Sequence, residues 1–291
     1  MNRLLVCLVF LSLSLNSGLG LALEPRETAL VKGAGAWELG VFNPLQIGVG
    51  NGLELEVHPL FFFTAPHLKL RKAVGPGGEG DWNVSIDGGV WFPYPALRMA
   101  PPLGLEGYFI PTCDVMAAEP ERDHGCQRPG WIVVPQVGVA ASLGTSDVLT
   151  IRADLSVGVL LSGHRPRPLD TLAPLDLQLS PVFNRWRVHG AVRYDRAFGE
   201  RLRGHVEAHI YGRGAPEGAV LSPLAGAVHG GLAVGLSKRT SLVVGLYYWN
   251  TDQGAVAFES PKTGGASLKR LRSHDFFPTF DVIWRGGDEV D

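Results

Sequence analysis

The sequence predicts an all-β protein, a transmembrane antiparallel up-and-down β-barrel of about 12 strands. Apolar and polar residues alternate with period two in segments of roughly ten residues, and turn residues separate these segments. Aromatic residues occur toward segment ends, as in the interfacial belts of membrane barrels. These residues are Trp37, Trp82, Trp186, Tyr194, Tyr248 and Trp284. A secreted β-sandwich is the alternative, but paired charges on the polar face of strand after strand argue against it.

The individual elements follow from this alternation. In chain order the alternating segments are 37–49, 53–57, 68–71, 82–90, 133–142, 149–159, 185–195, 201–213, 224–236, 242–248 and 275–284. Glycines and prolines interrupt almost every window in which a helix could run, so no helix is expected.

The strand count needs one further element, because the segments number eleven and bacterial single-chain barrels prefer even counts. Pro44 could split residues 35–49 into a short hairpin, or residues before Gly35 could contribute a strand. A rival count treats Leu175–Phe183 as a strand. About twelve strands are therefore expected, with ten and fourteen as alternatives.

The connections alternate in length. Short ones lie at 50–52, 75–81, 144–146, 197–200 and 237–240, and long ones at 93–130, 163–174, 214–223 and 251–272. A short reversal at 64–66 lies on the same side of the barrel as the long connections. Short connections are typical of the periplasmic side of a barrel, so the long loops, notably those near 93–130 and 251–272, are expected outside the cell.

The N-terminus has the three parts of a secretory signal peptide: Arg3, an apolar core over residues 4–15, and small residues before a cleavage site after Ala22. We expect residues 1–22 to be removed and residues 23–291 to form a single barrel domain. The formal charge is −2, and losing Arg3 with a leader that has no acidic residue leaves −3. This balance argues against binding of nucleic acid.

Two cysteines, Cys113 and Cys126, follow the leader. An exported protein enters an oxidising compartment, so a disulfide between them is expected. Two free thiols are the alternative.

The polar face of the barrel is expected to line its lumen. Inward charges in a narrow barrel need partners, so we expect ion pairs between Glu54 or Glu56 and Lys69 or Arg71, between Asp195 and Arg203, and between Glu207 and His189 or Arg193. The predicted lumen-lining residues are Glu38, Glu54, Glu56, His58, Lys69, Arg71, Arg152, Asp154, Arg187, His189, Arg193, Asp195, Arg203, His205, Glu207 and His209.

The residues of this polar face suggest two functions, selection of anions and binding of a metal ion. A basic stripe would favour anionic solutes if the lumen is open, and it comprises Arg185, Arg187, Arg193, Arg201 and Arg203. The spacing His205-x-Glu207-x-His209 puts three possible metal ligands on one face of a strand, with His189 as a further ligand from the adjoining strand. Charged lumenal faces also produce such spacings by chance.

No catalytic motif is found, and no cofactor is implied. Ser273-His274-Asp275 has the residue types of a triad, but His274 would face away from the other two on a strand. Ser162 and His164 form a second loose pair. An enzyme is therefore not the expected function.

The stretch WELGVFNPLQIGVGNGLELEVHPL (Trp37 to Leu60) resembles the opening hairpin of uncharacterised outer-membrane barrel proteins of the myxobacterial type. The positions that match are Trp37, Glu38, Gly40, Phe42, Pro44, Leu45, Leu53, Glu54, Leu55, His58 and Pro59. The resemblance implies a fold and a compartment, and it implies no activity and no catalytic residue.

These observations predict an outer-membrane protein of a Gram-negative bacterium, either a narrow channel or a structural component of the envelope. The alternatives are an enzyme acting on lipid or envelope polymer, and a surface binding protein that uses its long loops. Expected partners are outer-membrane lipid and lipopolysaccharide, together with the assembly machinery. The last strand ends in Phe280–Trp284, which is similar to the aromatic signal read by that machinery, although a short tail over 285–291 follows it.

Overall fold

The computed structural model describes residue 23 and residues 25–59, 62–63, 65–75, 82–93, 130–163, 165, 173–214, 224–259 and 267–287. The predicted signal peptide, Cys113, Cys126 and nearly all of the 93–130 loop lie outside these residues, so those predictions stay predictions.

Twelve antiparallel strands form a closed ring in which neighbours along the chain are neighbours in the sheet. The first and last strands close the ring, with Trp37 opposite Gly286. The strands are β1 (Trp37–Gly40), β2 (Leu45–Gly50), β3 (Leu53–Val57), β4 (His67–Ala73), β5 (Asn83–Trp91), β6 (Trp131–Leu143), β7 (Asp147–Val157), β9 (Trp186–Ala197), β10 (Leu202–Arg213), β11 (Leu224–Gly235), β12 (Thr240–Glu259) and β13 (Ser267–Gly286). A thirteenth strand, β8 (Val159–Ser162), pairs only with β6 and lies outside the ring. The predicted up-and-down barrel of twelve strands is confirmed.

The additional strand comes from the hairpin at Pro44. Residues 37–40 and 45–50 form β1 and β2, which pair with each other through Trp37 and Ile47. Proline lacks the N–H that would continue a strand ladder, which explains why the segment divides there.

The rival strand Leu175–Phe183 is wrong, and so is the expectation that the chain has no helix. These residues belong to helix α1 (Ala173–Asn184). Leu177, Val182 and Phe183 are all buried, so the apolar residues surround the helix rather than following a 3.6-residue stripe. A short apolar run that is buried on several sides cannot be assigned to helix or strand by its period alone.

The predicted loop over residues 251–272 is also wrong for most of its length. β12 continues to Glu259 and β13 begins at Ser267, with a register shift between Asp252 and Val256. The sequence of this hairpin does not alternate, but backbone pairing between two adjacent segments requires no alternation. β13 likewise extends two residues beyond the predicted strand end, to Gly286.

The barrel has two distinguishable ends. The short turns after β2, β4, β6, β9 and β11 lie at one end, which we call the turn end, and the connections after β1, β3, β5, β8, β10 and β12 lie at the other, the loop end. This arrangement agrees with the alternation of short and long connections in the sequence.

The outer face of the barrel is apolar. Large exposed hydrophobic side chains alternate along the strands, as at Val188, Val192, Val206 and Ile210 on β9 and β10. Exposed aromatic residues lie near both ends of this surface: Trp37, Trp82, Tyr194 and Trp284 toward the turn end, and Trp131 and Trp186 toward the loop end. Tyr248, which the sequence places toward a strand end, lies in the middle of β12 because that strand is longer than predicted. Within the described ranges, no helix is both long enough and apolar enough to cross a membrane.

Helix α1 lies inside the barrel at the loop end. Leu177 packs in a cluster with Tyr211, Trp249, Ala225 and Ala227, which come from the inner faces of β10, β12 and β11. At the other end of the helix, Val182 and Phe183 pack against Ile132 and Val134 of β6. The helix therefore fills part of the lumen between β6 and β12.

Gly158, between β7 and β8, allows α1 to approach the wall. Its N–H donates to the Arg185 carbonyl at 2.7 Å, and a Cβ at this position would lie 1.9 Å from the Pro181 carbonyl oxygen. Arg165 secures the same junction by donating from Nη1 to the Val182 carbonyl at 3.0 Å.

We expect Gly158→Ala to lower the free energy of unfolding by about 1–3 kcal/mol, because the added methyl group meets backbone that cannot yield without moving α1. Urea unfolding in lipid vesicles measures this change. Gly88→Ala is the matched control, since a Cβ there would have nothing within 4 Å. Equal stability of the two variants would contradict the assigned role of Gly158.

Candidate functional site

The inner face of the barrel carries the polar residues. The structure places all sixteen predicted lumen-lining residues there, fifteen of them on strands and His58 just after β3. Glu38, Glu54, Asp195 and Glu207 are among the most deeply buried. Because a buried charge without a partner is costly, their partners define what the lumen can do.

On β3 and β4 the acidic and basic residues face each other. Arg71 lies 3.4 Å from Glu54, and Lys69 lies 3.8 Å from Glu56 and 3.5 Å from Asp87 of β5. These are the pairings that the sequence predicts between the two strands, with Asp87 as an additional partner.

A central ionic cluster joins β7, β9 and β10. Arg152 donates from Nη2 to Glu207 Oε1 at 2.5 Å, and Arg193 donates from Nη1 to Glu207 Oε2 at 3.4 Å. Glu207 is 1% exposed, so it depends on both guanidinium groups.

The predicted pair of Asp195 and Arg203 does not form. Arg193 donates from Nε and Nη2 to the two oxygens of Asp195, at 2.7 and 3.0 Å. The register is the reason: Asp195 lies opposite His205, and Arg203 lies opposite Ala197. Arg203 instead donates from Nε to the Leu23 carbonyl at 2.7 Å.

Residues 25–36, the lumenal segment, run inside the barrel at the turn end before β1 begins. Glu27 accepts a hydrogen bond from Arg152 Nη1 at 2.7 Å and lies 3.9 Å from Arg193. The Arg152 guanidinium holds the pKa of the Glu27 carboxyl well below its usual range. The segment thus supplies the last acid of the central ionic cluster.

The lumenal segment is also fixed to the rest of the wall. Arg26 Nε donates to Glu38 at 2.5 Å, and Lys32 lies 3.3 Å from the other oxygen of Glu38. Its backbone is bound as well: the Ala29 N–H donates to Ser142 Oγ at 2.7 Å, and the Lys32 N–H donates to Glu54 at 3.1 Å. Residues 26–32 therefore bind β1, β3, β6, β7 and β9, which surround the lumen.

Sequence reasoning missed this segment. It has no strand alternation and no motif, and residues before Gly35 entered only as a possible extra strand. Apart from the adjacent β1, the strands that fix its position are distant in sequence, and no local pattern encodes such contacts.

Aromatic rings and imidazoles are stacked between the central ionic cluster and α1. The His229 ring lies 3.9 Å from the Tyr247 ring, and the His189 ring lies 4.5 Å from the Tyr211 ring. Trp249 stacks on both tyrosines.

The predicted metal ligands do not converge. His205 Nε2 lies 3.2 Å from His229 Nδ1, whereas His209 Nδ1 lies 3.1 Å from His189 Nε2. Glu207 is 3.7 Å from His209 but is bound to two arginines. Among the residues that the structure describes, no group of three or more His, Cys, Asp or Glu side chains is arranged as a metal site.

His189 and Arg187 share Asp154. His189 Nδ1 lies 2.6 Å from Asp154 Oδ2, and Arg187 donates to Asp154 Oδ1 at 3.1 Å. Of the five arginines of the predicted basic stripe, Arg187 and Arg193 contact acids, whereas Arg203 donates to a backbone carbonyl. Arg185 is exposed at the loop end.

The two candidate hydrolytic arrangements gain no support from geometry. Ser273 Oγ lies 2.5 Å from Thr251 Oγ1, while His274 Nδ1 lies 2.7 Å from the Tyr248 hydroxyl on the outer face. Ser273 and His274 therefore point to opposite sides of β13, as the alternation predicts. His164 of the second pair lies outside the described residues.

A cavity of about 380 Å³ lies beside the ionic cluster. Its polar lining includes Arg26, Glu27, Arg203, His205 and Thr279, and its apolar lining includes Phe42, Ala233, Val243, Pro278 and Phe280. This size is in the range of small-ligand pockets.

No protein-family model and no curated protein matches the sequence.

Proposed function

We propose that the chain is an outer-membrane β-barrel whose apolar outer face contacts lipid, including lipopolysaccharide. The support is the continuous apolar surface between two sets of aromatic residues, which is the arrangement that a bilayer requires of a closed barrel. The outer-membrane assembly machinery would insert such a barrel.

Within that membrane the protein acts as a narrow channel that its own N-terminal segment keeps closed. The observation that carries this proposal is the lumenal segment, held mainly by ion pairs and hydrogen bonds rather than by an apolar core. Water can take the place of polar partners when the segment leaves and the lumen is hydrated, which it cannot do for an apolar core.

Glu27→Gln tests the proposal, because it removes the charge that binds the segment to Arg152 and Arg193. In planar bilayers we expect the wild-type protein to be closed for most of the recording and the variant to show discrete open steps at least tenfold more often. Glu200→Gln, in the exposed turn before β10, is the matched control and should behave as wild type.

A purely structural role in the envelope is the second candidate, favoured by the amount of side chain that fills the lumen. It predicts that wild type and Glu27→Gln stay silent although both migrate as folded barrels in unheated gels. That result would remove the channel. If steps occur, exchanging Arg193 and Arg203 for Glu tests whether the arginines select anions.

A further inference from the structure

The wall of the barrel is uneven in height. β1 to β4 contain four to seven residues each, whereas β9 to β13 contain 12 to 20. β1 ends at Gly40, opposite Ile283 of β13. One more backbone hydrogen bond follows, from the Val41 N–H to the Val282 carbonyl. Between Val282 and the loop end, β13 pairs with β12 on one edge, and its other edge has no strand partner among the described residues.

A turn over residues 41–43 folds against this unpaired part of β13. The Asp281 carboxylate accepts hydrogen bonds from the N–H groups of Val41, Phe42 and Asn43, at 2.7, 3.2 and 3.0 Å, and one from the Asn43 side chain. Asp281 thereby fixes the position of Phe42, whose ring meets the Phe280 ring edge to face at 5.5 Å.

The cavity reaches the outer face at this point. Phe280 is 64% exposed and lies on the lipid-facing side of β13, yet it lines the same cavity as the buried His205 and Arg203. One end of the cavity is thus apolar and faces outward, between Phe42, Pro278 and Phe280. The other end is polar and lies inside the barrel.

The polar end of the cavity contains a guanidinium group that can bind an anion. Among the described residues that line the cavity, three acids are already bound: Glu27 by Arg152, Asp195 by Arg193, and Asp281 by the 41–43 turn. Of the three arginines in the same lining, Arg26 is paired with Glu38 and Arg193 with Asp195. Arg203 is 6% exposed, and its Nη1 finds no acceptor among the described residues.

We infer that this cavity binds a single-chain anionic amphiphile that enters sideways from the membrane. The carboxylate or phosphate head group pairs with Arg203, and the acyl chain leaves past Phe42 and Phe280 into the lipid. A cationic head group would meet Arg203, and each acid in the described part of the lining is already bound. The inference rests on the proposed contact of the outer face with lipid, and it is independent of whether the lumen conducts.

The test uses the full-length mature protein in phosphatidylcholine vesicles with lauric acid that carries a photoreactive diazirine in mid-chain. We expect labelling concentrated on residues 41–43 and 278–281, mapped by mass spectrometry. An excess of unlabelled lauric acid or dodecyl phosphate should compete with it, and dodecanol, which has no charge, should not.

Two variants and two matched controls complete the design. Arg203→Gln should reduce labelling of these residues about tenfold, because it removes a charge-assisted hydrogen bond from the head group. Ala233→Trp should abolish labelling by filling the cavity. Arg187→Gln, an inward arginine that does not line the cavity, and Ala208→Trp on the outer face should leave labelling unchanged.

The inference would be overturned if labelling is uniform around the outer surface and neither variant alters it. The proposed membrane barrel would stand. Competition by dodecanol equal to that by lauric acid would overturn the assignment of an anionic head group. A wild-type protein that fails to insert into the vesicles would overturn both the inference and the proposed function.

Discussion

Replacing Gly48 with valine is expected to drive the lumenal segment out of the barrel. Gly48 is on the inner face of β2, and a Cβ there would lie 1.8 Å from the Gly33 carbonyl oxygen and 2.5 Å from the Lys32 carbonyl oxygen. Both obstacles are backbone atoms, so no side-chain rotation can relieve the clash. The segment must move, since β2 is held by both of its neighbours in the sheet.

Two measurements report this movement. Trypsin should cleave after Arg26 and Lys32 in Gly48→Val, while these sites in the wild-type protein are protected by their contacts inside the barrel. In planar bilayers the same variant should be open for most of the recording, a larger effect than that of Glu27→Gln, because the whole segment is displaced rather than one contact weakened.

Gly88→Val provides the control for adding a β-branched residue to a strand. Gly88 has nothing within 4 Å of its missing Cβ, so this variant should keep the protease resistance and the closed state of the wild type. A folded Gly48→Val barrel that resists trypsin would show that the segment tolerates the side chain, against the geometry described above. A trypsin-sensitive but silent variant would instead separate the segment from any control of conductance.

The contrast between Gly48 and the strand residues around it shows what the sequence could predict. Period-two alternation depends on the pleat of each strand and on the two environments it separates, so the barrel, its inner face and the hairpin at Pro44 could be predicted. Even the pairing of Glu54 and Arg71 follows, because adjacent strands bring them into register.

The contents of the lumen could not be predicted in the same way. Helix α1 and the lumenal segment are held by residues on strands far apart in the sequence, such as Leu177 beside Trp249 and Glu27 beside Arg152. Helix α1 lacks a helical period and the lumenal segment lacks strand alternation, since each is surrounded by the wall on several sides. The failed pairing of Asp195 with Arg203 has a different cause: the register places Arg203 opposite Ala197, and Arg193, two residues from Asp195 on the same strand, binds that carboxylate instead.

Glu207→Gln is expected to cost about 3–5 kcal/mol of the free energy of unfolding, the range found when one partner of a buried ion pair is removed. Glu207 joins Arg152 and Arg193 from the centre of β10, and His209 lies 3.7 Å away. Without its charge, the central ionic cluster keeps two guanidinium groups and loses an acid that both of them contact. Urea unfolding in lipid vesicles measures the change, with Glu200→Gln as the exposed control, which should lie within about 0.5 kcal/mol of wild type.

A double variant separates the cost of an unpaired charge from the value of the pair. If the loss in Glu207→Gln comes mainly from an uncompensated Arg152, then Arg152→Met combined with Glu207→Met should be more stable than Glu207→Met alone, since the double change also removes the charge that was left without its partner. Recovery should be incomplete, because Arg152 also holds Glu27 and the lumenal segment. If the losses of the two single variants add up in the double variant, the residues act independently, and the central ionic cluster does not couple the wall of the barrel to the lumenal segment.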